Sequence, residues 1–463
     1  MKNKLTIKNL SILLFSFWLI LLYLVFLFNS TDNDMFFEIM SGRDILNGNF
    51  HTISHANNFP IVVQQWLYAV CLAIVDKYDN IGYMLFVFIQ DLILIVLSYI
   101  FIYNRTHNKY KAIYGPICAI LYCQIYMINI RPQIITVICL VSQLIFLDLW
   151  KKKNLIKYLF FIFPILILSA NMHQAVFLYH GFIMVPYIIQ LKKPYIDWKL
   201  ILFTPFYIAC SLLTPYGLDG SLYVYRTFKS HVFDFIHIEE IQPMPILSVY
   251  GVGMLLLIGI TIYLIYKRKA NIFITYYVFT IFILALTNIR HISIQYIPIL
   301  FLICILDFSW VTTYCYNIST LLLIALCMIF SQCNDKYHFD QIENSIKNKD
   351  ALIFNSALDV GGWLEYNGCT KVKLDSRCEA YSQELSGISG VIEDYYLLRY
   401  GYIINIDTKD CQLADDDLIL DLITDYQYLV INNTDYVNRI VEHNDNWNKI
   451  YNSKYYTVWQ NVN

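Results

Sequence analysis

The chain has 463 residues, of which 58% are hydrophobic and 17% aromatic but only 15% charged, with a mean hydropathy of +0.49. Such a composition exceeds what a soluble core can hide, so it excludes an ordinary soluble globular protein and indicates a polytopic membrane protein. A formal charge of -2 and the lack of any basic stripe beyond the membrane-flanking loops give no reason to expect a nucleic-acid partner.

The N-terminal "MKNKLTIKNLSILLFSFWLILLYLVFLFNS" pairs a positive start with an apolar run from Leu10 to Phe28. The run is of span length and has no small-x-small cleavage site, which predicts an uncleaved first transmembrane helix with its N-terminus in the cytoplasm. Lysine and arginine gather at Lys2, Lys4 and Lys8, at Arg105, Lys109 and Lys111, at "KKKNLIK" (151–157), at Lys192 and Lys193, and at 267–269. Pairs of apolar runs separate these clusters, at 82–103, 112–129, 133–150, 157–170, 174–190, 199–214, 246–266 and 272–288, and further runs follow at 292–306 and 311–332. With basic residues on the cytoplasmic side, this gives about eleven spans and an external C-terminus. The apolar stretch 62–78 would invert every later loop if it crossed, so it reads as an interfacial or re-entrant helix inside one long external loop, 29–81.

That loop opens with "TDNDMFFEIMSGRDILNGNF". At helical period Phe36, Ile39, Met40 and Leu46 share a face, Ser41 and Asp44 point away, and Gly48 stands at a C-terminal cap, which predicts a surface-lying helix over 35–47. Asp34 then stands where an N-cap would be. Asp32 has no such role, and two carboxylates so close repel each other unless something cationic or protonic uses them.

Past Cys333 charged and polar residues and glycines return, and no membrane-length run follows. The boundaries are therefore a membrane domain, 1–332, and an external domain, 333–463, large enough for its own core. Strand-like "ALIF", "KVKL", "YLVI" and "YTVW" alternate with helical "VIEDYYLLRY" and "DYVNRIVEHND", which predicts a small α/β unit. Of 12 cysteines, Cys333, Cys369, Cys378 and Cys411 lie on the external side, where three full disulfide pairings are open, and no spacing fits a zinc site.

Five polar knots mark the expected outer ends of the spans: "NIRPQ" (129–133), "ANMHQ" (170–174), "TPYGLDG" (214–220), "HIEEIQP" (237–243) and "TNIRHIS" (287–293). Each could simply end a helix at the interface. Arginine on the outer side opposes the positive-inside bias, however, and guanidinium suits phosphate, so Arg131 and Arg290 point to a phosphorylated lipid substrate.

With these residues in view, the chain resembles bacterial membrane proteins of the type C glycosyltransferase superfamily (GT-C), in an uncharacterised branch related to protein O-mannosyltransferases and oligosaccharyltransferases. The likeness rests on the order of "DNDMFFEIMSGRDIL", "QQWL", "RPQ", "NMH", "TPYG", "VGGWL" and "LDSR" along the chain. It departs at Glu38, where the branch has histidine, and at Gln65, where it has glutamate. The resemblance implies an α-helical GT-C fold with a small extracytoplasmic α/β domain, in a bacterial plasma membrane. It implies transfer of a sugar from a polyprenyl-phosphate donor to a glycan, lipid or protein acceptor at the outer face. Asp32 or Asp34 would be the general base, or a ligand to a divalent metal such as Mg or Mn. Arg131, His173, Arg290 and His291 would hold or protonate the departing phosphate. Glu38, Gln65, Trp66, Gln133, Asn171, Tyr216, Glu239 and Glu240 would line the substrate groove. In the tail, Asp359, Trp363, Asp375, Arg377 and Tyr381 would bind acceptor, although Asp375 and Arg377 equally read as a local surface ion pair. A polysaccharide polymerase or ligase, a lipid-linked glycan transporter, and a non-catalytic scaffold stay open as alternatives.

Overall fold

The computed structural model describes residues 2–28, 30, 32, 34–50, 61–190, 195–230, 242–306, 339, 342–377, 381, 383–386, 389–406 and 408–462. The protein is mostly helical, with a small sheet region toward the C-terminus. It divides into two compact units. The first comprises Met1–Asp32, Val75–Gly217 and Ile238–Asn334, and the second comprises Asn33–Ile74, Leu218–His237 and Asp335–Asn463. The long first loop, expected with the membrane domain, therefore groups with the tail.

The helices that concern the first unit are α1 (Lys2–Phe28), α4 (Asp79–Thr106), α5 (Lys109–Tyr122), α6 (Gln124–Met127), α7 (Gln133–Lys153), α8 (Lys157–Phe160), α9 (Ile162–Met172), α10 (Tyr179–Ile188), α11 (Trp198–Cys210), α13 (Val249–Tyr266), α14 (Ile272–Thr287) and α15 (Tyr296–Ile305). In the second unit α2 (Met35–Leu46) and α3 (Trp66–Val75) come from the first loop, and α12 spans Gly217–Lys229. Among the described residues two apolar helical stretches are long and apolar enough to cross a membrane, Trp66–Thr106 and Gln133–Lys153, and six more are shorter. The first of these is broken at Asp79, whose φ of 51° turns the chain between α3 and α4. The expected runs 10–28, 82–103 and 133–150 are single helices, but eleven full-length spans are not seen among the described residues. The run 112–129 is interrupted at Cys123, and 311–332 lies outside the described residues.

α4 is turned inside out relative to a helix in water. It buries Gln90, Asp91 and Ser98 while exposing Leu85, Ile89, Leu92 and Val96. The Tyr23 hydroxyl of α1 donates to Asp91 at 2.8 Å, and Ser98 pairs with the Tyr296 hydroxyl at 2.9 Å. Polar groups paired between helices beneath an apolar exterior are what a hydrocarbon surrounding favours, although Gln90 Nε2 and Asp91 Oδ1 have no hydrogen-bond partner among the described residues. At the far end of α4, Arg105 donates to both carboxylate oxygens of Asp148 on α7, at 2.7 and 2.6 Å, over the rings of Phe101 and Phe301.

In the tail, β3 (Leu352–Asn355), β4 (Lys371–Val372), β7 (Tyr428–Asn432), β8 (Trp447–Asn452) and β9 (Tyr456–Asn461) form one sheet in the order β4-β3-β7-β9-β8. β3 runs parallel to β4 and β7, and β9 runs antiparallel to β7 and β8. Short ribbons β1–β2 (Ile189–Gln190, Tyr195–Ile196) and β5–β6 (Tyr402–Ile404, Cys411–Leu413) lie elsewhere. The remaining tail helices are α16 (Ile342–Ser345), α17 (Leu358–Tyr366), α18 (Gln383–Ser386), α19 (Val391–Tyr400), α20 (Asp416–Ile423) and α21 (Tyr436–Val441). Val360 and Leu364 of α17 pack on Ile353, Val372, Tyr428, Val430 and Val458 of the sheet. β7 is buried at four consecutive positions, Tyr428–Ile431, so its apolar run is continuous, as a strand covered on both faces requires.

α2 departs from the simple amphipathic reading. Phe36 and Ile39 are buried as expected, but so are Ser41 and Asp44, and Leu46 is 52% exposed. The reason is packing on two sides. Gly42 lets α3 approach so closely that a Cβ there would collide with the Ala69 carbonyl and stand 2.9 Å from Ala73 Cβ. Elsewhere on the helix the Phe36 ring meets Trp363 and Tyr366 of α17 at 4.7 and 5.1 Å. Asp34 makes no capping hydrogen bond, whereas Gly48, with φ +93°, closes the helix as its position predicts. Gly42→Ala should therefore destabilise the protein by about 1–3 kcal/mol through overpacking, seen as a lowered midpoint in thermal unfolding followed by tryptophan fluorescence.

Candidate functional site

The residues that follow α1 are tied to the turn between α6 and α7. The Ser30 carbonyl accepts from the Ile130 amide at 2.9 Å. One oxygen of Asp32, Oδ2, accepts from Arg131 Nε at 2.6 Å and from Asn129 Nδ2 at 3.0 Å. Both members of the ion pair are largely removed from solvent. A carboxylate held this way has a fixed direction, since the guanidinium bond is charge-assisted and the amide adds a second constraint.

The same turn leads into a second cluster. Thr136, in the first turns of α7, shares a hydrogen bond of 2.9 Å with Nδ1 of His173, which follows α9. The Tyr179 hydroxyl bonds Nδ1 of His291. The Arg290 charge acts on His173, on His291 and on Tyr179. Burial first, and the Arg290 charge second, push the His173 imidazole down to about 3 and that of His291 down to about 4. Both rings are neutral at pH 7, so the positive charge beside them belongs to Arg290, and the expected protonation of a phosphate by either imidazolium is not favoured. Two of the five polar knots, 170–174 and 287–293, thus share one cluster, which Thr136, just past a third, joins. The end of α11 and the turn after it, just before the 214–220 knot, are held to the same segment, with Asn171 Nδ2 donating to the Leu213 carbonyl at 2.9 Å and Gln174 Nε2 to the Ser211 carbonyl at 3.1 Å. Gln242 of the fifth accepts from the Ile289 amide at 2.8 Å. Gln133 is buried, and its Oε1 has no hydrogen-bond partner among the described residues. Tyr216 is buried, while Glu239 and Glu240 lie outside the described residues.

Asp34, Glu38, Gln65 and Trp66 belong to the second unit. Glu38 is buried and accepts from Gln65 Nε2 at 2.6 Å, so the two positions that depart from the resembled pattern pair with each other. Trp66 meets the Phe50 ring. In the tail, Asp375 and Arg377 are not a surface pair, for they are 1% and 5% exposed. Arg377 Nε donates to Asp375 at 2.8 Å, and its other nitrogens reach Glu365 at 3.4 Å and Ser41 of α2 at 3.3 Å. Tyr381 is buried on Asp375. Trp363 donates to Glu343 at 2.9 Å. These side chains hold α2 and α17 to the tail; buried in that role, Asp375, Arg377 and Tyr381 do not present a binding surface. Asp359 stays at the start of α17, partly exposed. Thr136 and Tyr179 are the members of the cluster that the motifs do not mark.

No group of three His, Cys, Asp or Glu side chains able to hold a metal forms among the described residues. At Asp32 the Arg131 guanidinium and the Asn129 amide hold Oδ2. Cys369 and Cys411 are free thiols, and Cys333 and Cys378 lie outside the described residues. No protein-family model matches the chain, and no curated protein matches it.

Because His173 takes up a proton in an opened chain near its ordinary value of 6.5 but in the folded one only at about 3, the unfolded state binds more protons across that window. Stability should therefore fall as the pH drops from about 6.5 toward 4, and His173→Asn should flatten this slope in pH-dependent thermal unfolding. Arg377→Gln leaves two buried carboxylates uncompensated and should cost about 3–5 kcal/mol, measured by denaturant unfolding.

Proposed function

We propose that the protein is a polytopic membrane glycosyltransferase that moves a sugar from a polyprenyl-phosphate donor to a cell-surface glycan, lipid or protein acceptor at the outer face of a bacterial plasma membrane. What supports this reading is that Asp32, clamped by Arg131 and Asn129, and the cluster of Arg290, His173 and His291 belong to one unit and are linked along the chain by the start of α7, where Thr136 bonds His173. The inside-out pattern of α4 supports a lipid surrounding.

In this mechanism Asp32 takes the proton of the acceptor hydroxyl as its oxygen forms a bond to the anomeric carbon. The bond from that carbon to the phosphate oxygen breaks, and its electron pair leaves with the polyprenyl phosphate. Arg131 keeps Asp32 aimed, which suits a base acting late on an oxocarbenium-like centre. Arg290 meets the charge that develops on the phosphate, and the neutral imidazoles donate hydrogen bonds to it without transferring a proton.

With reconstituted protein and a polyprenyl-phosphate sugar, Asp32→Asn should lower the release of polyprenyl phosphate by about 10²–10⁴-fold, and Asp34→Asn should leave it within a few-fold. Arg290→Gln should raise the KM for donor. Full turnover by Asp32→Asn would reject the base, and uptake of lipid-linked glycan into liposomes without any transfer would favour a transporter.

A further inference from the structure

Tyr179 stands between a dry wall and a charged cluster. Its ring lines an apolar crevice with Phe182 and Ile183 of α10, Tyr276 and Ile281 of α14 and Ile297 of α15. Its hydroxyl bonds Nδ1 of His291, in the segment Ile289–Gln295 between α14 and α15. The two rings meet edge to face with their centroids 5.7 Å apart. Tyr179 is buried, and its hydroxyl makes no other hydrogen bond among the described residues. His291 is partly exposed, and its Nε2 bonds none of them.

The direction of this one bond decides what His291 can do. A neutral imidazole carries its proton on one nitrogen and accepts through the other. Were the proton on Nδ1, it would donate to the Tyr179 oxygen, and the phenolic hydrogen would be left against an apolar wall at the cost of an unmade buried bond. With the phenol donating to Nδ1 both groups are satisfied, and the imidazole proton lies on Nε2, the nitrogen left unbonded. The Arg290 charge acts on both rings. A neutral N–H donor beside a guanidinium is an arrangement that suits an anion. We propose that Tyr179 is a positioning residue, which by donating to Nδ1 holds His291 in the tautomer that presents Nε2–H to the phosphate of the donor lipid. The identity of that phosphate rests on the transferase reading; the tautomer does not.

The test uses the full chain in lipid nanodiscs with isotope-labelled histidine rings, read by nitrogen NMR, and a polyprenyl phosphate as ligand. The His291 signals, assigned by their loss in His291→Gln, should show the proton on Nε2, and the ligand should move the Nε2 resonance. Tyr179→Phe keeps the ring in the crevice, so it should shift the Nδ1 resonance of His291, leave those of His173 in place and weaken the ligand about tenfold, the worth of roughly one hydrogen bond. His291→Gln can set its amide N–H where Nε2–H stood and should bind nearly as the unaltered protein does, whereas His291→Asn, whose shorter amide reaches only the Nδ1 place, should bind as weakly as Tyr179→Phe. A proton on Nδ1 in the unaltered protein, undiminished binding by Tyr179→Phe, or equal binding by His291→Gln and His291→Asn would overturn the assignment. These readouts need no turnover, so a protein that binds as expected yet transfers no sugar would contradict the transferase reading and leave the role of Tyr179 standing.

Discussion

The pairing of Asp32 with Arg131 is the constraint on which the candidate site depends. Three hydrogen bonds, from Ile130 to Ser30 and from Asn129 and Arg131 to Asp32, fasten the exit of the first helix to the turn before α7. That turn also leads to Thr136 and, through it, to His173 and the Arg290 charge. The clamp sets the position of the carboxylate relative to the turn before α7. An ion pair largely removed from solvent resists screening by salt in a way that exposed pairs do not, so the position of the acid is set by the fold.

Both units bury charge by the same means. In the first, Arg105 and Asp148 meet in a two-pronged bond among aromatic rings. In the second, Arg377 gathers Asp375, Glu365 and Ser41 while the Phe37 ring covers its guanidinium at 5.6 Å. Taking such groups from water is costly unless every partner is present. These nodes therefore fix geometry more than they add stability, and arginine's planar fork makes it the residue able to do so.

Much of the tail and of the first loop was legible from local pattern. Periodicity placed a helix over 35–47, seen as Met35–Leu46, Gly48 its end, and β-branched runs the strands β3, β4, β7 and β9. β8 was not legible, because its "WNKIYN" exposes polar residues along much of its length. The residue types of the site were readable too, since arginine and aspartate near helix ends are unusual in so apolar a chain. Their pairing was not, because Asp32 meets partners 97 and 99 residues away. Asp375 and Arg377 misled for the same reason: two residues apart they read as a surface pair, and only Ser41, 336 residues from Arg377, and Glu365 make them a buried node. Gly42 hid the two-sided packing of α2, since a residue without a side chain carries no hydropathy signal but permits the closest approach.

The most direct measurement is a cryo-electron-microscopy structure of the protein with a non-hydrolysable polyprenyl-phosphate sugar bound in nanodiscs. The account predicts the phosphate against Arg290, with the anomeric carbon open to an acceptor hydroxyl placed on Asp32. A donor bound away from this cluster, or with its phosphate on the side of the membrane opposite Asp32, would contradict it.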